Sequence, residues 1–119
     1  MPDSGFRDRR VYERIQVKFS LRYLDLDSNR EGSALTRDIS ANGIGMLTQE
    51  ELSSRSHLEI WLQIPDRGEP LYTKGEVVWS RMVEPNKYRS GVCLDKIDFM
   101  AMSRIIRLQN IISMYKSAG

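Results

Sequence analysis

From Ile15 onward apolar and polar residues alternate strictly, with Ile15, Val17, Phe19, Leu21 and Tyr23 on one side and Gln16, Lys18, Ser20 and Arg22 on the other. A period of two is that of a half-buried strand, whose successive side chains point to opposite faces. The stretch from Asp25 to Gly32 predicts a turn, and Ser33–Ile39 and Ile44–Thr48 predict short strands flanking Asp38-Ile39-Ser40-Ala41-Asn42-Gly43. A second alternation, Leu58, Ile60, Leu62 and Ile64, stops at the turn cluster Pro65-Asp66-Arg67-Gly68. Leu71–Val83 and Tyr88–Leu94 read as two more strands around Glu84-Pro85-Asn86-Lys87. Six short strands at close spacing predict a mainly β chain, an antiparallel barrel or sandwich. The tail changes period: Ala101, Ile105, Leu108, Ile112 and Tyr115 fall at spacings of four and three. This predicts a helix over Phe99–Lys116 that Asp98 can cap. Met102, Ile106, Ile111 and Met114 widen its apolar face beyond one stripe, so the helix is expected to contribute to a homodimer or to dock a protein partner, unless it wraps the end of the sheet structure.

Residues 1–13 carry few apolar side chains and concentrate charge at Arg7-Asp8-Arg9-Arg10. They read as a mobile arm ahead of one domain over 14–119, since 119 residues suit a single core. The opening Met1-Pro2-Asp3-Ser4-Gly5 is unlike a signal peptide, and no run of about 18 uncharged apolar residues occurs. A cytoplasmic protein without membrane insertion is expected. The 18 basic residues barely exceed the 16 acidic ones, which argues against DNA or RNA as the partner. The basic set is 13 Arg to 5 Lys, favouring planar cations that bind bidentately and stack.

Catalysis finds no support. The one histidine, His57, stands beside Ser56 at the start of a strand, and with the lone Cys93 it falls short of a zinc ligand set. Glu50-Glu51 belongs to a polar loop, and Gly43-Ile44-Gly45 lacks the third glycine of a dinucleotide fingerprint. No enzyme, metal or cofactor is expected.

Two features remain. Arg10-Val11-Tyr12-Glu13-Arg14 is an Arg-x-x-x-Arg pair, which arises about once by chance at this composition. Asp38-Ile39-Ser40-Ala41-Asn42-Gly43 is an Asp-x-Ser-x-x-Gly, expected on the order of 0.1 times per chain. Taken alone, they describe a solvated basic arm and an Asx or Ser turn closed by glycine.

Together with Gly-Glu-Val-Val-Trp-Ser-Arg at 75–81, Ser-Gly-Val-Cys-Leu at 90–94 and the helix after Ile97-Asp98, they resemble the PilZ domain over residues 6–116. Leu94 stands where that family often has an aromatic residue. The resemblance implies a six-stranded antiparallel β-barrel with a C-terminal helix, and a bacterial receptor for the second messenger cyclic di-GMP. It implies ligand contacts at Arg9, Arg10, Arg14, Asp38, Ser40, Gly43 and Trp79. An arginine fork matches the O6/N7 edge of guanine and stacks on the purine, while Asp38 can accept from N1 and N2. Ser40 can donate to a phosphate, Gly43 permits close backbone approach, and Trp79 packs beside a base or serves as barrel wall. Arg9 implies two stacked ligands per chain, its charge offsetting phosphate repulsion. In this reading the arm closes over the ligand and alters a partner-binding surface. The alternatives are a PilZ-like adaptor that has lost its ligand and a small barrel for single-stranded nucleic acid.

Overall fold

A computed structural model describes residues 14–95, 97 and 99–118 of the chain. Among these residues six strands and one helix follow in order: β1 (Ser20–Asp25), β2 (Arg30–Ser40), β3 (Gly43–Thr48), β4 (His57–Gln63), β5 (Leu71–Glu84), β6 (Lys87–Leu94) and α1 (Phe99–Ala118). The sheet closes on itself in the order β1-β2-β3-β6-β5-β4, antiparallel at every pairing. Closure gives each of the described strands a neighbour on both sides, so none of them is an edge.

The alternation decides what lies inside. Leu21, Ile39, Ile44, Met46, Leu58, Ile60, Leu62, Ile64 and Val77 fill the barrel and are essentially inaccessible. Each such side chain contributes about 1.5–3 kcal/mol of burial. Ile105 joins them from α1, and Ala101 and Met102 are also buried, so the helix closes the barrel with a face wider than the predicted line. Ile106 and Ile111 stay exposed. The predicted Asp98 cap and the side chains of Ile112, Met114 and Tyr115 lie outside the described residues.

Two boundaries differ from the sequence pattern by more than two residues. The first ladder begins only at Ser20, although Val17 and Phe19 already point inward. That segment is held instead by an isolated bridge of Ile15 to Ile39 and by Thr36, whose amide donates to Phe19 O and whose hydroxyl donates to Val17 O. The predicted Asp25–Gly32 turn shrinks to Leu26–Asn29. The Asp25 carboxylate accepts from the amides of Asp27 and Ser28, and Asn29 takes the left-handed φ of 59°, so four residues suffice to reverse the chain.

The helix is pinned to the β4–β5 loop by Arg104, which donates twice to the Asp66 carboxylate at 2.8 Å and once to Glu69 O at 3.0 Å. This pairing holds the Asp66 carboxyl far below the usual carboxylate range and raises the Arg104 pKa.

Candidate functional site

One row of residues crosses the outer wall of the barrel over four strands. Asp38 of β2 stands opposite Gly45 of β3, Gly45 opposite Gly91 of β6, and Gly91 opposite Trp79 of β5. The register shifts between Thr36 and Asp38 and again between Val77 and Trp79. Each is a bulge of one extra residue, a device that re-aims the side chain beside it. The two bulged strands therefore present Asp38 and Trp79 at either end of a floor that has no side chains of its own.

The glycines explain the close approach. A Cβ at Gly45 would stand 2.9 Å from Asp38 Oδ1, and one at Gly91 would stand 2.4 Å from Trp79 Nε1. In the next row, a Cβ at Gly43 would lie 3.1 Å from Arg14 Nη2. Carboxylate, indole and guanidinium thus rest on bare strand backbone, the usual meaning of glycine inside a strand.

Arg14 donates through Nη1 to Asp38 Oδ1 and forms an ion pair with it. Half of the Arg14 side chain and a quarter of the Asp38 side chain remain accessible, so both can meet a ligand. At the other end the Arg81 guanidinium sits 5.5 Å from the centroid of the Trp79 ring, within cation–π range, and the indole is 41% exposed. Cations therefore flank both ends of a flat floor.

Ser40 is placed differently from Asp38. It is 1% exposed, and its hydroxyl donates to Asn42 Oδ1 at 2.8 Å. Asp38, Ile39 and Ser40 belong to β2, Ala41 and Asn42 form the turn, and Gly43 opens β3, so the motif is a strand-ended hairpin and not a separate loop. The turn also touches the helix approach: Asn42 O accepts from Leu94 N at 2.9 Å and Ala41 O from Ile97 N at 3.1 Å.

The structure brings Arg14, Asp38 and Gly43 together, buries Ser40 at the end of β2 with its hydroxyl on Asn42, and places Trp79 across the floor. Arg9 and Arg10 lie outside the described residues. Gly45, Gly91 and Arg81 stand in motifs quoted above but carry no ligand role in the sequence reading. Glycines at interior strand positions were the available signal for the first two, and the two-residue spacing of Trp79 and Arg81, which puts both on one face of β5, was the signal for the third. No group of three or more metal-ligating side chains occurs among the described residues.

The PilZ domain family model matches residues 8–109. The chain belongs to the PilZ family. Among solved structures, it resembles the PilZ domain of YcgR from Escherichia coli with c-di-GMP, at 15% identity and a TM-score of 0.71, over 92% of this chain and 98% of that one. It is also similar to the Bacillus subtilis inhibitor of motility MotI/DgrA, with 20% identity, a TM-score of 0.63, and 86% and 52% of the two chains covered. The K. pneumonia MrkH–c-di-GMP complex gives 14% identity and a TM-score of 0.63, over 93% of this chain and 55% of that one. This PilZ chain thus spans about half the length of MotI and MrkH. No curated protein matches it by sequence. These likenesses confirm the barrel-and-helix fold expected from the resemblance.

Proposed function

We propose that this PilZ domain is a receptor for cyclic di-GMP, bound on the glycine floor between Arg14 and Trp79. The observation that carries the reading is the row itself: a guanidinium and carboxylate pair at one end, an exposed indole under a second guanidinium at the other, and bare backbone between. A ligand with flat bases and two phosphates needs those groups. The Arg14 fork can take the O6/N7 edge of a guanine or a phosphate, and the free oxygen of Asp38 can accept from guanine N1 and N2. Trp79 offers a stacking face. The YcgR and MrkH structures named above contain the same ligand, which supports the choice of messenger.

In this reading Arg9 and Arg10 add further cations from the arm, which closes over the ligand, and two stacked ligands bind per chain. Binding, with no reaction step, is the whole activity, and it belongs in the cytoplasm where such a messenger acts. No described helix is long and apolar enough to cross a membrane. Output passes through the helix. The hairpin turn of Ala41 and Asn42 hydrogen-bonds the segment entering α1, and Met100, Ile106 and Ile111 expose apolar surface there for a second copy or a protein partner.

Isothermal titration with cyclic di-GMP tests the reading. The expected result is saturable heat with micromolar or tighter affinity, about −8 kcal/mol. No heat at saturating ligand would reject it and leave the Arg14–Asp38 pair as a structural contact in a ligand-free adaptor.

A further inference from the structure

Leu35 of β2 and Leu47 of β3 are direct cross-strand partners on the outer wall, where the alternation calls for polar residues. Leu35 is 40% exposed. The pair forms part of the floor of a groove of about 1020 Å³, walled by Trp61 of β4 and overhung by the β5–β6 turn at Glu84–Lys87. The volume stands at the upper end for small-molecule sites, which leaves room for several side chains of an occupant. Its lining also includes Ser20, Ser33, Thr48, Gln49 and Gln63, polar groups of the kind that rim an interaction surface.

Charge selects the occupant. Lys18, Arg22 and Lys87 line the groove against the single carboxylate of Glu84. Lys87 meets Glu84 only at 3.9 Å, and Arg22 meets Glu31 outside the groove at 3.8 Å, both pairs well exposed. Such loose surface pairs hold little energy, so the three cations can turn to a ligand at small cost. A second copy seated by two-fold symmetry would bring the same cations against themselves. Trp61, the one aromatic among the described residues of the lining, is half-buried and packed against Tyr72, which leaves nucleobases no row of stacking faces. We propose that this groove docks an extended segment of a partner protein in which pairs of acidic and pairs of apolar residues alternate. Lys18, Arg22 and Leu35 share the outer face of the wall. Alternation in pairs puts both kinds of residue on each side of an extended chain, so apolar side chains would seat on Leu35, Leu47 and Trp61 while carboxylates meet Lys18, Arg22 and Lys87.

The probe is a fluorescein-labelled eight-residue peptide of alternating glutamate pairs and leucine pairs, followed by anisotropy against the full chain. It should bind at least tenfold tighter than peptides of lysine and leucine or of glutamate and serine. Lys18→Glu combined with Arg22→Glu should reverse the charge preference. Should that double variant lose its circular dichroism signal, Lys87→Glu serves instead and should weaken the acidic peptide at least threefold. Absence of saturable binding, or binding indifferent to these charge changes, overturns the proposal. So does light scattering that shows a dimer abolished by the same variants, because the occupant would then be a second copy.

Discussion

Asp38 is expected to matter more to a ligand than to the fold. Its ion pair with Arg14 is partly exposed on both sides, a class of contact worth about 0.2–1 kcal/mol. Asp38→Ala or Arg14→Ala is therefore expected to shift thermal unfolding by only a few degrees, about 1 kcal/mol or less. Cyclic di-GMP affinity in the same variants should fall at least tenfold, about 1.4 kcal/mol, by calorimetry. A variant that unfolds instead would make the pair structural. Ser40→Ala should behave in the opposite way, since its buried hydroxyl serves Asn42: stability falls by about 0.5–1.5 kcal/mol and any effect on binding follows from the disturbed turn. Gly91→Ala probes the floor directly. The added methyl would meet the indole at 2.4 Å, and the ring is free to swing outward, so the barrel should survive. The expected readout is a changed Trp79 emission in a Trp61→Phe background, together with weaker ligand binding.

At the scale of elements, alternation and turn chemistry carried most of the fold. Six strands and the helix were legible because aliphatic residues recur at alternate positions through β1 and β4 and because Pro65–Gly68 and Glu84–Lys87 interrupt the pattern. Asn86 adopts a φ of 62°, which lets Pro85-Asn86 reverse β5 into β6 with only two residues. The bulges were not legible, since an extra residue such as Arg37 or Val78 leaves no mark in a strand-length pattern. The site was accordingly readable as a list of residues and unreadable as a row. Arg104 was equally hidden: its partner Asp66 lies 38 positions away in a turn cluster. That contact makes a pH prediction. Asp66 titrates lower in the folded chain than the unfolded value near 3.9, so its contribution is present above about pH 4 and fades as pH falls through the folded value. Asp66→Asn should lower the urea midpoint at pH 6, and the gap from the native chain should shrink at pH 2.5. A gap unchanged between the two would show that the carboxylate charge contributes nothing to holding α1.

Across the whole molecule, closure of the barrel places β3 beside β6, which joins the Asp38 hairpin to the strand leading into α1. Two backbone hydrogen bonds, from Leu94 and Ile97 to the hairpin turn, complete a short physical path from floor to helix. Such a path gives ligand binding something to act on, provided the ligand fills the floor fully. Filling it is a question of charge as much as of area. One cyclic di-GMP brings about −2 and two stacked molecules about −4, and mutual repulsion at stacking distance needs nearby cations to offset it. The floor itself supplies Arg14, already shared with Asp38, and Arg81 at the far end. Arg10 would add a third guanidinium, and a fourth from Arg9 would offset the charge of the second ligand. The native chain is therefore expected to saturate at two equivalents of cyclic di-GMP, and Arg9→Leu to saturate at one with the first binding step largely kept. Because that step leans on Arg14 and Asp38, the variant should retain its heat of binding at low ligand while the second phase disappears. Saturation of the native chain at one equivalent would reject the two-ligand reading and leave the receptor assignment standing on the first site alone.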